Sequence, residues 1–507
     1  MKPIFLKIRL AFLPVYLLLV FVACQVSGQK LNPVVKTVKG YVRGGIENGI
    51  LVFKGVPYAS PPVGALRFMP PVAHNTWADT LAAEQFGPVA MQYANKKVVG
   101  SEDCLSLNVY TPAADHKKRA VVVWVHGGSM TSGAGKGQDG HAFADHDDIV
   151  AVTINYRLGV FGFLYLGDVD KRYAASANNG TLDCIMALTW IKQNIAAFGG
   201  DPNRVSIMGE SAGAKLLSAV TVSPKVKGLF QQFISESGSV QCIRDSVTAK
   251  NERLRILHQL QFGQNDVGKL LTLPADELIK AQAVVCGGIE GTSFFGPVID
   301  GVVINNDPYQ YAAGRNLPHF KALLGTNKTE ATLFAALDSK VKNPDSAFFK
   351  ANFGDGYPVV YKDYLKELKT LSPEDASIKV LTQYMYQMHT YRWAKALTQT
   401  GVPVWMYRFD YDKGRFGAGH AEELQYVWYK PTENITDTAK KRLAINMHKA
   451  WVSFIKTGNP NTTGLPQWPK YNTNSKKIMI FDTSDRVIGL KEVFDDKNFP
   501  SAVFVLH

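Results

Sequence analysis

The sequence is poor in several features that mark special classes of protein. It contains no low-complexity tract and no internal repeat with a period of about 20 to 50 residues. Its hydrophobic share of 46% and charged share of 20% are ordinary for a soluble globular protein, which excludes a disordered chain. No linker rich in Gly, Ser or Pro divides the 507 residues. We therefore expect one folded domain with a large core.

Cysteine is scarce, with five residues in the whole chain. The four beyond Cys24 show none of the spacings of a zinc site, and no metal or organic cofactor is expected. If the protein is exported, disulfides are possible, and the pair that we expect is Cys242 with Cys286.

Positive charge is in excess but is not concentrated. The formal net charge is +13, yet Lys and Arg form no stripe with interleaved aromatic residues of the kind that a nucleic-acid-binding protein presents. We expect a solvated basic surface and no nucleic-acid partner.

The N-terminus has an apolar run from Leu10 to Cys24 that follows Lys2, Lys7 and Arg9. The run is shorter than the roughly 20 residues of a transmembrane helix and is typical of an export signal. Cleavage near Gly28 would remove a signal peptide at 1–28, leave a domain at 29–507 without an integral membrane span, and lower the net charge from +13 to +10. The alternative is a lipoprotein signal with Cys24 as the lipid anchor.

The order of predicted elements indicates an α/β fold. Short β-branched runs between Val34 and Val56 predict hairpins at a sheet edge. Continuous apolar runs then predict strands buried on both faces, at Ala120–Val125, Ile149–Ile154, Val205–Met208 and Ala322–Leu324. A helical pattern at Asp183–Ala197 lies between two of them. The alternation predicts a mostly parallel sheet with helices on both faces.

The second half continues this pattern around an insertion. Residues 337–400 are helical and aromatic and predict an inserted covering region. Strand signal returns at Val404–Phe409, and a last helix is predicted at Thr438–Thr457, closed by Gly458.

The segment from Arg204 to Ala214 carries the strongest chemical signal. An apolar strand runs into Gly-Glu-Ser-Ala-Gly and then into a helix, which is typical of a nucleophile held at a strained strand-to-helix turn. Glycines two residues on either side let neighbouring backbone pass without Cβ clashes. The pattern predicts Ser211 as a nucleophile, with the N–H of Ala212 directed to the same place.

A serine nucleophile needs donors where negative charge develops on the substrate carbonyl. His126-Gly127-Gly128-Ser129 directly follows the strand at Ala120–Val125. We therefore predict an oxyanion hole formed by the N–H groups of Gly128, Ser129 and Ala212.

The nucleophile also needs a base and a group that orients the base. His420 lies in a glycine-rich loop after the strand at Val404–Phe409, late in the chain, which suits the order Ser, acid, His. Glu330 follows a buried strand between the two. Asp300 is the alternative acid, but an Asp directly before Gly301 is more often a turn residue, which favours Glu330.

At this point the chain resembles the type B carboxylesterases, a family that includes the cholinesterases, from about Val34 to the C-terminus. Besides the Gly209–Gly213 segment, the resemblance rests on Glu102–Asn108, Asn155–Gly159 and Phe198–Pro202. It implies an α/β-hydrolase fold, Ser211, Glu330 and His420 as a catalytic triad, and Gly128, Ser129 and Ala212 as the oxyanion hole.

The resemblance also assigns supporting roles. It implies ion pairs of Arg67 with Glu102 and of Arg157 with Asp183, and a structural role for Ser237 near the triad.

Three positions depart from the family pattern. Ala90 replaces a cysteine that usually bridges to Cys104, so we expect Cys104 to be a free, buried thiol. The segment Met91–Gly100 is short and lacks the tryptophan with which cholinesterases bind a quaternary ammonium. Met130 replaces an aromatic residue.

The resemblance and the residues together predict an exported serine hydrolase that cleaves neutral small-molecule esters through an acyl-enzyme. One alternative is a non-catalytic binding or adhesion module with the same fold. Another is an esterase specialised for polymeric or activated esters.

Overall fold

A large mixed sheet organises the chain in the computed structural model, which describes residues 32–491 and 494–500. The predicted signal peptide and Cys24 lie outside the described residues. Within these ranges the strands are β1 Val34–Thr37, β2 Gly40–Arg43, β3 Gly45–Glu47, β4 Ile50–Pro57, β5 Leu81–Ala82, β6 Gln92–Ala94, β7 Lys97–Val99, β8 Ser106–Thr111, β9 Arg119–Val125, β10 Val150–Ile154, β11 Gly200–Glu210, β12 Gln232–Glu236, β13 Lys321–Asn327, β14 Val404–Phe409, β15 Lys477–Phe481 and β16 Arg486–Gly489.

Eleven of the described strands form the central sheet, in the order β16-β15-β14-β13-β12-β11-β9-β10-β8-β4-β3. The strands from β10 to β15 in this order pair in parallel, and the pairs at both edges are antiparallel. The predicted mostly parallel sheet is confirmed. The expected hairpins near the N-terminus are the antiparallel pairs β1–β2 and β3–β4.

Helices cover both faces of this sheet, as predicted. In the described part of the chain they are α1 His141–Ala144, α2 Gly159–Phe163, α3 Asn179–Asn194, α4 Ala212–Thr221, α5 Ser246–Gln259, α6 Ala275–Val285, α7 Pro308–Ala313, α8 Thr332–Leu337, α9 Ser346–Phe353, α10 Tyr357–Glu367, α11 Pro373–Thr382, α12 Met388–Gln399, α13 Leu424–Val427 and α14 Thr438–Thr457.

The alternation of side chains along β9 shows how the two faces are buried. Val121, Val123 and Val125 point into one apolar core, and Val122 and Trp124 point into the other. Helices α3 and α4 pack into the first core, whereas α14 packs into the second. A strand buried on both faces needs a continuous apolar run, and such a run is what predicted this strand from the sequence.

The last helix has the bounds that the sequence predicts. Helix α14 begins after Asp437, whose carboxylate accepts hydrogen bonds from the N–H groups of Ala439 and Lys440. It ends at Gly458, which has a φ of 69° and so takes the left-handed conformation that favours glycine.

The region predicted as a helical cover, 337–400, contains α9 to α12, and α8 directly precedes it. Helices α8 to α12, called the cover below, share an apolar cluster that includes Phe334, Phe349 and Tyr386. Helices α11 and α12 are joined by a π-helical segment, Gln383–Gln387. Such segments are rare and often lie at functional sites.

The strand order reverses between β11 and β9, which are parallel neighbours. In open α/β sheets, ligands bind beyond the carboxyl ends of strands at such a reversal. The loops that leave β9, β11, β12, β13 and β14 all begin at this edge. No helix among the described residues is long and apolar enough to cross a membrane.

Candidate active site

Ser211 lies in the turn between β11 and α4, as predicted. It has a φ of 52° and a ψ of −121°, a strained conformation for a residue with a side chain. A Cβ atom at Gly213 would lie 2.0 Å from the carbonyl oxygen of Val125, and one at Gly209 would lie 2.7 Å from the carbonyl carbon of Gly213. Glycine is therefore required at both positions for the strand, the turn and the helix to pack this closely.

The three predicted residues of the triad meet at the carboxyl edge of the sheet. His420 Nε2 lies 2.7 Å from Ser211 Oγ, and His420 Nδ1 lies 2.6 Å from Glu330 Oε2. An ionised carboxylate only accepts hydrogen bonds, so Nδ1 carries the proton and Nε2 accepts from the serine hydroxyl. The side chains are almost completely buried, with exposures of 8% for Ser211, 7% for His420 and 0% for Glu330.

Glu330 is held from two further directions. Its Oε1 accepts a hydrogen bond of 2.6 Å from Ser237 Oγ and one of 2.7 Å from the N–H of Asn327. Ser237 therefore fixes the carboxylate that faces His420, which is the supporting position that the family resemblance implies.

Asp300, the alternative acid, lies in a turn. One carboxylate oxygen accepts hydrogen bonds from the N–H groups of Val302, Val303 and Ile304, and the other accepts one from Asn178 Nδ2. The carboxylate of Asp300 is thus occupied by backbone N–H groups, and the carboxylate that is hydrogen-bonded to His420 is that of Glu330.

The loop after β9 brings the predicted oxyanion donors to the nucleophile. Gly128 and Ser129 have φ values of 106° and 56° and line the same cavity as Ser211. Within the described ranges, the N–H groups of Gly128 and Ser129 make no hydrogen bond to the protein. Ala212 is the first residue of α4, so its N–H has no acceptor within the helix. These three N–H groups, in the two segments that meet at Ser211, therefore have no acceptor among the described residues.

A second carboxylate approaches His420 from the nucleophile side. Glu210 Oε1 lies 3.1 Å from His420 Nε2, and burial raises the pKa of the Glu210 carboxyl to about 7. Burial would lower the pKa of His420, but Glu210 and Glu330 outweigh burial and raise the pKa to about 9. The imidazolium form is thus favoured by two carboxylates.

Aromatic rings of the helical cover position the imidazole. The ring centroid of Tyr386, in the π-helical segment, lies 4.8 Å from that of His420, and the centroid of Phe334 lies 5.5 Å away. These contacts link the covering region to the loop that carries the base.

Two adjoining cavities open next to Ser211. The first has a volume of about 470 Å³ and is lined by Ser211, His420, Gly128 and Ser129. The second, of about 240 Å³, is walled mainly by apolar side chains, among them Phe353 and Met385 of the cover. Lys215, on α4, lines both.

The two ion pairs implied by the family resemblance are present, the first partly buried and the second completely buried. Arg67 donates to both carboxylate oxygens of Glu102, over 2.8 and 2.5 Å. Arg157 donates to Asp183 over 2.9 and 2.7 Å, and its exposure is 2%. Neither pair lies against the triad, so both contribute to the scaffold.

The expected disulfide between Cys242 and Cys286 is wrong, because both are free thiols. Cys242 follows β12, and its Sγ donates to the carbonyl of Lys215 at 3.3 Å, whereas Cys286 lies at the end of α6. Cys104 is free and buried, as predicted.

Sequence reasoning missed three residues of the site, namely Glu210, Lys215 and Tyr386. Glu210 is part of the Gly-x-Ser-x-Gly segment, and Lys215 lies one helical turn after Ser211. Their proximity in sequence to the predicted nucleophile is the signal that could have identified both. Nothing in the sequence pattern around Tyr386 indicates a π-helical turn that faces His420.

Comparisons with known proteins agree with this geometry. The family model described as "Carboxylesterase family" matches residues 31–493. The para-nitrobenzyl esterase of Bacillus subtilis (strain 168) is 34% identical, over 89% of this chain and 95% of its own. Liver carboxylesterase 1F of Rattus norvegicus is 31% identical, over 94% and 95%.

A solved structure extends the agreement to three dimensions. The crystal structure of a Geobacillus stearothermophilus carboxylesterase at pH 6.2 matches with a TM-score of 0.81 and 37% identity, over 90% of this chain and 97% of its own. With an α/β-hydrolase fold and a family match over almost its whole length, this chain belongs to the carboxylesterase family and is a carboxylic-ester hydrolase.

Proposed function

We propose that this protein cleaves small-molecule esters through an acyl-enzyme formed on Ser211. His420 is the general base and acid, Glu330 orients it, and Gly128, Ser129 and Ala212 form the oxyanion hole. The observation that carries the proposal is the continuous hydrogen-bond chain from Ser211 Oγ to His420 to Glu330, with separations of 2.7 and 2.6 Å.

Acylation follows from the positions of these atoms. Ser211 Oγ attacks the ester carbonyl while His420 Nε2 takes its proton, and the charge on the carbonyl oxygen is stabilised by three N–H donors. His420 then gives the proton to the leaving alcohol. Glu330 keeps the proton on Nδ1 and stabilises the imidazolium, so Nε2 stays available.

Deacylation repeats the same steps with water as the nucleophile. His420 takes a proton from the water, the water oxygen attacks the acyl carbon, and the carboxylic acid leaves as Ser211 recovers its proton. The net reaction is one ester and one water giving one acid and one alcohol.

The proposal is tested by chemical labelling and by Ser211→Ala. An organophosphate should modify Ser211 alone, and Ser211→Ala should remain folded while losing nearly all ester hydrolysis. Ser218→Ala is the matched control, because Ser218 is a second buried serine on α4 that only donates to the carbonyl of Ala214. It should label and hydrolyse like the wild type. Label on another residue, or full activity in Ser211→Ala, contradicts the proposal.

A non-catalytic binding module is not favoured, since the similar proteins are esterases and no triad residue is missing. Polymeric esters are disfavoured because Ser211 lies inside a cavity with an exposure of 8%. These features support small-molecule esters as the substrate class.

We further infer that neutral esters are preferred to choline esters. Met91–Gly100 folds as the β6–β7 hairpin and supplies no tryptophan, and the Tyr386 ring already faces the ammonium of Lys215 at 5.1 Å. A substrate cation would thus lose about 1 to 2 kcal/mol of cation–π attraction. The comparison of kcat/KM for acetylcholine and for its carbon isostere 3,3-dimethylbutyl acetate isolates the charge. A clear preference for acetylcholine contradicts the inference.

We also propose that the chain is exported, on the basis of the apolar run between Leu10 and Cys24. Sequencing the N-terminus of the mature protein tests this: a start near Gln29 supports cleavage, a lipid-modified Cys24 supports the anchored alternative, and an intact Met1 contradicts export.

A further inference from the structure

A buried lysine, Lys215, faces the site, and no carboxylate among the described residues pairs with it. Lys215 lies one turn into α4, and its N–H donates to the carbonyl of Ser211 at 2.9 Å. Its side chain has an exposure of 7%. Among the described residues, no carboxylate oxygen lies within 4.0 Å of its Nζ and no acceptor forms a hydrogen bond with it, whereas the centroid of the Tyr386 ring lies 5.1 Å away in a cation–π contact.

Such a side chain needs an explanation, because a buried ammonium is normally paired. Burial lowers the pKa of Lys215, and the more distant Glu210 and Glu330 oppose this. In the described part of the chain the three N–H donors of the ammonium nevertheless have no acceptor, and Lys215 lines both cavities next to Ser211. An acceptor brought by the substrate would satisfy them.

The charges around the second cavity favour an anion there. Its charged lining residues are Lys215, Arg244 and Asp355. Arg244 is paired with Glu252, and Asp355 is exposed. Of the described residues that line this cavity, Lys215 is therefore the buried cation with no carboxylate oxygen within 4.0 Å. Glu210 lines the first cavity and not the second.

The walls around this cation select for a hydrocarbon chain. Met130, Phe295, Phe353, Met385 and Phe499 line the second cavity. Ala212, whose N–H is an oxyanion donor, lines this cavity, and Lys215 is three residues, or about 4.5 Å of helical rise, further along α4. The Tyr386 ring lies 5.1 Å from this ammonium and 4.8 Å from the His420 ring, so the ammonium is within about 10 Å of the base, a distance that an ester with a chain of a few carbons can span.

We propose that Lys215 binds a carboxylate of the substrate, so that this enzyme prefers esters carrying a carboxylate a few carbons from the ester bond. The inference rests on the function proposed above and specifies its substrate class. The carboxylate can belong to the acyl part, as in a half-ester of a dicarboxylic acid, or to the alcohol part, as in an ester of a hydroxy acid. Neutral esters are hydrolysed at the same centre, but less well.

Two matched pairs of esters show whether the bound carboxylate belongs to the acyl part or to the alcohol part. Ethyl hydrogen glutarate and ethyl pentanoate differ only by a carboxylate in place of a methyl group on the acyl chain. 3-Acetoxybenzoate and 3-methylphenyl acetate differ in the same way on the alcohol. With wild-type enzyme in a pH-stat, kcat/KM should be at least about tenfold higher for the anion in one pair, as expected for a hydrogen bond to a charged group.

The variant Lys215→Met removes the charge and keeps the length of the side chain. The anion-to-neutral ratio of kcat/KM should fall to about one or below, whereas Lys215→Arg should retain part of the preference. A ratio is used because it is not affected by a general loss of active enzyme. Lys227→Met is the control for net charge, because Lys227 is an exposed lysine on the loop that follows α4, and it should leave the ratio unchanged.

A measurement on the wild type alone covers the case in which the variants do not fold. Pentanoate should inhibit hydrolysis of ethyl acetate competitively, with an inhibition constant at least about tenfold lower than that of pentanamide. No preference for either anion in the wild type, or a preference that survives in Lys215→Met, overturns the inference. Absence of hydrolysis of all four esters, together with no labelling of Ser211, would instead refute the proposed function.

Discussion

Replacing Glu210 by glutamine should move the pH profile of ester hydrolysis to lower pH. His420 can accept the proton of Ser211 only as a neutral imidazole, so kcat/KM rises as the pH passes upward through the pKa of His420. With one carboxylate beside the imidazole, this rise would have its midpoint at about pH 6.5 to 7. The structure adds Glu210, and the pKa of His420 is raised to about 9.

The size of the effect follows from the geometry. Glu210 Oε1 lies 3.1 Å from His420 Nε2. Two unit charges about 4 Å apart interact by about 4 kcal/mol at an effective dielectric constant of about 20, and about 1.4 kcal/mol corresponds to one pH unit. Because burial also raises the pKa of Glu210 to about 7, the carboxylate is not ionised over the whole titration. We expect Glu210→Gln to lower the apparent pKa by about one to three pH units.

The assay is kcat/KM for a neutral alkyl ester in a pH-stat from about pH 5 to pH 10. Glu422→Gln is the matched control, because this partly exposed carboxylate lies in the same loop as His420 but faces Gln425. Glu422→Gln should change the apparent pKa of the kcat/KM profile by less than about 0.3 pH units, since solvent screens the charge of Glu422. If the apparent pKa of the rising part of the profile in Glu210→Gln equals or exceeds that of the wild type, the electrostatic reasoning is refuted.

Three other outcomes are expected. Glu330→Gln should lower kcat by about 10³- to 10⁴-fold, because the imidazole loses its orienting acceptor, whereas Asp300→Asn should have an effect of less than about tenfold; steady-state kinetics decide between them. Asp183→Asn should reduce the free energy of unfolding by about 3 to 5 kcal/mol in urea titrations, since it leaves Arg157 buried and unpaired, whereas Asp170→Asn in an exposed pair should cost less than about 1 kcal/mol. Thiol titration of the denatured, non-reduced protein should find all four cysteines of the described residues as thiols, namely Cys104, Cys184, Cys242 and Cys286, and a count below four would reveal a disulfide.

The parts of the site that could be predicted from the sequence are those whose cause is local. The turn at Ser211 needs glycine at both Gly209 and Gly213 for steric reasons, so the requirement appears as a fixed spacing. Glu330 and His420 each follow a strand of the parallel sheet. Because parallel strands have their carboxyl ends at one edge, the fold class alone predicts that these two side chains lie close together.

The parts that could not be predicted depend on contacts between distant segments. Glu210 is adjacent to Ser211, but its effect on the pKa of His420 depends on a loop 210 residues later. The direction of the Cys242 thiol depends on how the segment after β12 packs on α4, which no cysteine spacing encodes. Likewise, Lys215 could be placed on a helix, but the cavity that it lines is formed by the cover.

The sheet edge that carries the site also constrains when activity can appear during folding. Its loops come from β9, β11, β12, β13 and β14, so the oxyanion loop and His420 are separated by almost 300 residues. A growing or truncated chain that ends before β14 has the nucleophile and the oxyanion loop but no base. Ester hydrolysis therefore reports completion of the long-range strand pairing, and recovery of activity after refolding should follow β13–β14 docking and not the earlier formation of helices.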